Sequence, residues 1–225
     1  MGGDIRGAGG PRIEIHGVKQ LGDADWTIIP DRIVAGTLAM AAAMTNGDVT
    51  LTNFPHDHLL AVLDRLAITG TQVQRLDPSQ PADRCDVHVT SDRRLKPVLF
   101  TTQPYPGYPT DLQAQLMALL CLAQGNSIVT ERIYPDRFLH VSELTRMGAS
   151  LIRTGPTVVV QGGGDLIGAP VMAGDLRGSA ALILAGMAAQ GETIVHRVYH
   201  LDRGYVQLEA QLNALGAGIE RFDAP

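Results

Sequence analysis

Gly36-Thr-Leu-Ala-Met-Ala-Ala-Ala-Met-Thr-Asn-Gly47 is an apolar, alanine-rich stretch that stops at a glycine and runs straight into Asp48-Val-Thr-Leu-Thr52. Two further stretches can be laid over it. Gln113-Ala-Gln-Leu-Met-Ala-Leu-Leu-Cys-Leu-Ala-Gln-Gly125 precedes Asn126-Ser-Ile-Val-Thr130, and Gly178-Ser-Ala-Ala-Leu-Ile-Leu-Ala-Gly-Met-Ala-Ala-Gln-Gly191 precedes Glu192-Thr-Ile-Val195. A helix that is apolar on every side has to be buried, and a closing glycine supplies a left-handed residue without steric cost. The β-branched run that follows each stretch predicts a strand.

A second, amphipathic helix is expected after each strand, near residues 58–68, 139–147 and 205–215, closing on Gly70, Gly148 and Gly216. From closing glycine to closing glycine the distance is 23 residues in the first two copies and 25 in the third. The repeated unit is therefore helix, strand, helix, strand, with extra strands. Connections such as Asp77-Pro-Ser-Gln-Pro81 absorb the differences in spacing. The start of the chain resembles the end of such a unit: Met1-Gly-Gly-Asp-Ile5 matches Met147-Gly-Ala-Ser-Leu151, and Arg12-Ile-Glu-Ile15 matches Thr157-Val-Val-Val160. Residues 1–28 are thus expected to be trailing strands of a truncated preceding domain. Residues 29–225 are expected to form one domain of three repeats, and the whole chain the C-terminal part of something longer.

Composition narrows the class. The 225 residues are 45% hydrophobic and 18% charged, enough apolar material for a sizeable core. The net charge of −5 gives no basic excess for a general nucleic-acid partner. No apolar run reaches the roughly 18 residues that span a bilayer, and the N-terminus lacks signal-peptide regions. Cys85 and Cys121 are too few for a disulfide scaffold and are not spaced as a metal pair, so both are expected to be inert. A reduced, cytoplasmic, soluble α/β protein follows.

An aspartate stands before each buried helix: Asp31, Asp111 and Asp175. The plain reading is a helix N-cap, whose carboxylate accepts a free backbone N–H. Arg137, Arg177 and Arg203 each fall at a strand–helix junction, where guanidinium geometry suits phosphate and carboxylate oxygens. Taken singly, each also fits a surface ion pair. His56-Asp57-His58 lacks a third metal ligand and reads as a loop. Gly162-Gly-Gly164 lacks a following Gly-Lys-Ser/Thr and reads as a strand-connecting turn. His140 and Glu143 lie on a packing face of a helix and carry no assigned chemistry.

Three motifs carry a resemblance: Gly107-Tyr-Pro-Thr-Asp-Leu-Gln-Ala-Gln115; Asp136-Arg-Phe-Leu-His-Val141 with Glu143-Leu144 and Arg146-Met-Gly148; and Asp175-Leu-Arg177 followed by His200-Leu-Asp-Arg-Gly-Tyr205. Together, and along the whole chain, they resemble the enolpyruvyl transferase family, in particular the UDP-N-acetylglucosamine 1-carboxyvinyltransferases. The resemblance implies an α/β fold, the family's inside-out α/β barrel domain of three repeated helix–strand–helix–strand units. It implies transfer of the enolpyruvyl group of phosphoenolpyruvate to the 3-hydroxyl of UDP-N-acetylglucosamine, with phosphate release and no cofactor.

By resemblance Asp111 is the base at the sugar hydroxyl and Ile133 gives a backbone carbonyl to the acetamido group. Arg137, Arg177 and Arg203 hold anionic groups, and Arg203 and Asp175 lie at the reacting centre. Asp202, adjacent to Arg203, either orients it or is simply solvated. Asp136 stands where the family motif has Asn, and Gly174 and Gly178 stand where Thr and Ala are expected. The family's lysine–asparagine pair and cysteine loop have no counterpart here, so little activity is expected from the chain alone, and a missing N-terminal half in trans is a possible partner. The competing expectations are a 3-phosphoshikimate 1-carboxyvinyltransferase-like enzyme and a non-catalytic remnant or partner-binding half.

Overall fold

The computed structural model describes residues 1–92 and 94–222. The last three residues of the expected three-repeat span lie outside them. The chain begins with an antiparallel hairpin, β1 (Asp4–Arg6) on β2 (Glu14–His16), that pairs with no other strand. Residues 1–28 are almost entirely solvent-facing, and large apolar side chains stand out of this segment, with Trp26 83% and Ile28 85% exposed.

Three helices form the interior: α1 (Arg32–Met44), α3 (Gln113–Cys121) and α5 (Leu176–Ala188). They pack on one another. Every residue of α3 is buried, as are Ala39 to Met44 of α1 and Gly178 to Leu182 of α5. That burial explains why their sequences lack a polar stripe; each fully buried Leu or Met side chain contributes about 1.5–3 kcal/mol over leaving it in water.

Sheets cover these helices. The first combines β3 (Asp48–Phe54), β4 (Gln72–Arg75) and β5 (Cys85–Thr90) in the order β3-β5-β4, all antiparallel. In β5 the inward Cys85, Val87 and Val89 alternate with half-exposed Asp86, His88 and Thr90, the period of two that lets one face meet the core. A second sheet runs β6-β7-β9-β8, from β6 (Leu99–Thr101), β7 (Asn126–Thr130), β8 (Ser150–Thr154) and β9 (Thr157–Gln161). Here β6 and β7 are parallel and the other pairs antiparallel. A third pairs β10 (Pro170–Met172) with β11 (Ile194–His196) in parallel. The second helices are α2 (Leu60–Thr69), α4 (Leu139–Arg146) and α6 (Leu208–Ala214).

Gly70, Gly148 and Gly216 are left-handed, at φ +96°, +90° and +99°. Of the glycines after the interior helices, Gly47 departs from expectation. After α1 the left-handed residue is Asn46, at φ +58°, and not Gly47. Gly47 is required for proximity: its N–H reaches the Ala42 carbonyl at 2.8 Å, and a Cβ there would lie 3.2 Å from the Ala42 backbone. Gly125 and Gly191 are left-handed, but they lie beyond the ends of α3 and α5 and turn the chain into the next segment.

Candidate active site

The site is built where three helices begin. Asp31 and Asp175 occupy N-cap positions with extended backbone. Asp31 Oδ1 accepts the N–H groups of Ile33 (2.7 Å) and Val34 (3.2 Å), and Asp175 Oδ1 accepts those of Arg177 and Gly178, both at 2.8 Å. α3 begins otherwise. A 3₁₀ turn, Thr110–Leu112, precedes it, and Pro109 holds the cap position without a side-chain acceptor. Asp111 sits inside that turn, and its carboxylate binds no backbone N–H of its own helix.

That carboxylate joins two arginines instead. Arg137 Nη1 donates to Asp111 Oδ1 at 2.6 Å and Arg177 Nη2 to Oδ2 at 3.2 Å. Both guanidiniums are largely buried, the Arg177 side chain to 13% exposure, whereas Asp111 retains 37%. Burial alone would push the Asp111 carboxyl up; the bond from Arg137 and the charges of Arg177 and Arg137 outweigh it and hold the group below the usual aspartate range. The turn before α4 brings Arg137 in, and the first turn of α5 brings Arg177.

Arg177 is held from beneath by Tyr205, whose ring centroid lies 5.7 Å from the guanidinium carbon. The Tyr205 hydroxyl bonds Thr37 of α1 (2.9 Å) and Gln115 of α3 (3.1 Å), and Gln115 Nε2 also donates to the Asp111 carbonyl (3.0 Å). Arg177 Nη1 is buried with no hydrogen-bond partner among the described residues. An oxyanion would satisfy such a buried cationic donor at little further desolvation cost.

The structure thus brings Asp111, Arg137 and Arg177 into one contact group, with Asp175 at the base of the arginine's helix. Arg203 is exposed and has no partner among the described residues. Its neighbour Gly204 packs against Arg177: a Cβ there would come 3.7 Å from Nη1. Ile133 is exposed in the turn after β7, its N–H donating to Glu131. Asp202 does not orient Arg203. It forms a two-pronged pair with Arg221, at 2.8 and 2.6 Å, because the C-terminal segment returns past α6 to meet it.

His140 is fully buried beside this group with neither ring nitrogen bonded. Burial pushes its pKa down to about 4, the Arg137 charge acting in the same direction and Asp175 against it. Glu143 accepts the Met172 N–H at 2.9 Å, tying α4 to β10. Both cysteines are buried, and burial pushes the Cys121 thiol up to about 12. Among the described residues no group of three His, Cys, Asp or Glu side chains is placed to hold a metal. No helix among them is long and apolar enough to cross a membrane.

Two features of the site come from tertiary structure. One is the Tyr205–Thr37–Gln115 knot; Tyr205 and Gln115 do close two of the quoted motifs. The other is Glu131, just after β7, buried at 0% exposure and surrounded by donors.

Comparisons with known proteins agree with one another. Residues 1–212 match the family model described as EPSP synthase (3-phosphoshikimate 1-carboxyvinyltransferase). The UDP-N-acetylglucosamine 1-carboxyvinyltransferase of Desulfosudis oleivorans is 50% identical over 221 residues, which is 98% of this chain and 51% of that protein. The protein of the same name from Anaeromyxobacter sp. is 50% identical over 224 residues, covering 100% and 51%. Among solved structures, the enolpyruvyl transferase NikO from Streptomyces tendae superposes with a TM-score of 0.83 at 30% identity, over 100% of this chain and 52% of that one. An EPSP synthase from Acinetobacter baumannii shares the fold, with a TM-score of 0.66 at 20% identity over 88% of this chain. The chain spans about half the length of the curated relatives it matches.

Proposed function

The chain belongs to the EPSP synthase family of enolpyruvyl transferases, and from that premise we propose that it carries part of a site that moves the enolpyruvyl group of phosphoenolpyruvate to the 3-hydroxyl of UDP-N-acetylglucosamine. The reaction adds the sugar hydroxyl across the C2=C3 double bond of phosphoenolpyruvate, oxygen to C2 and a proton to C3, and then eliminates phosphate from C2 with loss of a proton from C3, an early step toward peptidoglycan. The observation that carries the reading is the Asp111 carboxylate clasped by Arg137 and Arg177, with Arg177 Nη1 buried and unpartnered.

In that arrangement the carboxylate stands where substrate oxyanions would engage the arginines. Held below the normal range, Asp111 is ionised at neutral pH but is a weak base. An incoming phosphate or carboxylate that takes over Arg137 and Arg177 removes the groups that depress it. The freed carboxylate is then a better acceptor for the sugar 3-hydroxyl proton, a general-base contribution of about 10²–10⁴-fold. Arg203 completes the anion contacts from the segment that also carries Tyr205. Asp175 fixes the start of α5 and so the reach of Arg177, and its Oδ2 is left for the reacting centre. Ile133 offers its carbonyl to the acetamido group.

The three helix–strand–helix stretches with α1, α3 and α5 are read as the three units of an inside-out barrel domain. The packing of those helices on one another supports this. Residues 1–28 are read as trailing strands of a preceding domain. A half-site cannot exclude water from the reaction, so the chain alone turns over poorly and works with a complementary half, in the same polypeptide or in trans.

Identity near 50% to UDP-sugar enzymes, against 20% to the A. baumannii EPSP synthase, favours the UDP-sugar acceptor over shikimate 3-phosphate. The test is a calorimetric titration of the chain with both acceptors in the presence of phosphoenolpyruvate, followed by phosphate-release assays with and without the complementary half. Preference for UDP-N-acetylglucosamine, abolished in Arg177→Met, is expected. Preference for shikimate 3-phosphate transfers the assignment to the other enzyme, and binding of neither with no phosphate release even beside the complementary half leaves a non-catalytic remnant as the better reading.

A further inference from the structure

Glu131 directly follows β7 and is completely buried, yet among the described residues no basic side chain bonds its carboxylate. Four donors do. Oε1 accepts the Thr102 hydroxyl (2.5 Å), the Ile133 N–H (2.8 Å) and the Tyr134 N–H (3.1 Å), and Oε2 accepts the Thr110 hydroxyl (2.9 Å). A carboxylate offers about four lone-pair directions, two on each oxygen, so Oε1 is fully used and Oε2 is committed to Thr110. Its own N–H is bonded to the Pro156 carbonyl at 2.8 Å.

The two oxygens serve different parts of the molecule. Oε1 staples a turn, the one that carries Ile133 and leads to Arg137. Oε2 leaves that turn and reaches Thr110, the residue before Asp111. The Thr110 oxygen in turn accepts from Arg137 Nη1 at 3.2 Å. A guanidinium can only donate, so the single Thr110 proton is committed to Glu131 and the chain of bonds has one polarity, Arg137 to Thr110 to Glu131. If Glu131 served only its own turn, Oε2 would have no reason to reach across to the start of α3.

We propose that Glu131 is a positioning residue for the enolpyruvyl-transfer site: through Thr110 it fixes the Arg137 guanidinium against Asp111, and through Oε1 it fixes the turn that presents Ile133. This rests on the proposed function for its substrate. Glu131 touches neither substrate nor reacting atoms; it acts by denying Thr110 and the turn any other hydrogen-bond arrangement.

The charge is essential to one oxygen and dispensable at the other. In Glu131→Gln an amide oxygen can still staple the turn, but the amide NH₂ cannot accept the Thr110 proton, so the charge-assisted bond and the polarity of the chain through Thr110 are lost. The Ile133 and Tyr134 amides therefore keep their protection from hydrogen exchange in this variant, while affinity for UDP-N-acetylglucosamine falls by roughly tenfold or more, the size expected for losing a buried charge-assisted bond. Thr110→Val gives the same loss, and Thr110→Ser restores wild-type affinity. The double variant Glu131→Gln/Thr110→Val is no weaker than either single one, because both break the same link.

Wild-type affinity in Glu131→Gln or Thr110→Val, or fully additive losses, overturns the proposal. If the unsubstituted chain binds no UDP-N-acetylglucosamine even with the complementary half present, the enolpyruvyl reading is what fails, and Glu131 is judged on the Arg137 guanidinium resonances. Exchange-protected Nη protons that broaden in both variants uphold its role, and unchanged ones refute it.

Discussion

Asp175 and Asp111 stand at the starts of two interior helices, and only the first behaves as a helix-start aspartate. Asp175 has extended backbone and spends Oδ1 on two N–H groups of α5. Asp111 lies past Pro109, inside a 3₁₀ turn, and caps nothing. The shift follows from proline: it takes the extended cap position, lacks an acceptor side chain, and pushes the acid into the first turn. There the carboxylate faces outward to Arg137 and Arg177. Two positions along the chain, from the cap at Pro109 to Asp111, separate an acid that serves the fold from an acid free for a ligand. Asp31, with the same extended cap geometry, falls with Asp175.

The sharpest way to break this contrast is a pair of alanine variants assayed with the portion of the Desulfosudis oleivorans enzyme that this chain does not match. Asp111→Ala is expected to lower phosphate release by about 10²-fold or more, the loss of a general base, with no cap penalty in thermal unfolding. Asp31→Ala should leave turnover unchanged and cost about 1 kcal/mol of stability, as N-cap removal does. Equal losses of turnover in the two would erase the distinction.

A weaker effect sharpens the α5 side. His140, buried against the start of that helix, has its pKa depressed from 6.5 to about 4. The unfolded chain therefore binds the proton more tightly, so stability is full above pH 6.5 and declines as the pH falls toward 4. Denaturant titrations across that window should show the decline in the wild type and a flatter profile in His140→Leu. A wild type with constant stability between these pH values would mean that the imidazole is hydrated or paired in solution.

The smallest expected change is at Gly178, the second residue after the α5 start to be held by Asp175. A Cβ there meets nothing nearer than 3.5 Å, so Gly178→Ala should stabilise the helix by roughly 0.5–1 kcal/mol. At Gly36 of α1 a Cβ would lie 2.5 Å from Leu112 Cδ1, and the same change should destabilise. Thermal melts of the two variants moving in the same direction would contradict this reading of how tightly the helix starts are packed.

Much of this was legible in the sequence because it is local. The β7 strand falls on Asn126–Thr130 as its β-branched pattern predicts, and Gly70, Gly148 and Gly216 adopt the left-handed conformation that closing glycines provide. Motif by motif, the residues that cluster at the site, Asp111, Arg137 and Arg177, were named from the chain alone. Asp202 was misassigned because adjacency in sequence says little about ion pairing: its partner, Arg221, is 19 residues away across a returning segment. Gly47 was misread because close approach and a left-handed φ select the same residue. Glu131 gave no signal, since the value of a buried acid lies in donors that only tertiary structure brings to it, from residues 102, 110, 133 and 134.

The Tyr205 hydroxyl ties residue 205 to Thr37, 168 positions earlier. Closing so long a loop carries an entropic cost that only a docked α1 and α3 can offset, so this contact belongs to the last stage of folding. The tail that bears Arg203 is then a latch, the final piece to arrive and the first to lift. Native-state hydrogen exchange should find the amides of α6 opening at lower free energy than those of α3, which makes assembly of the arginine cluster a reporter of complete folding.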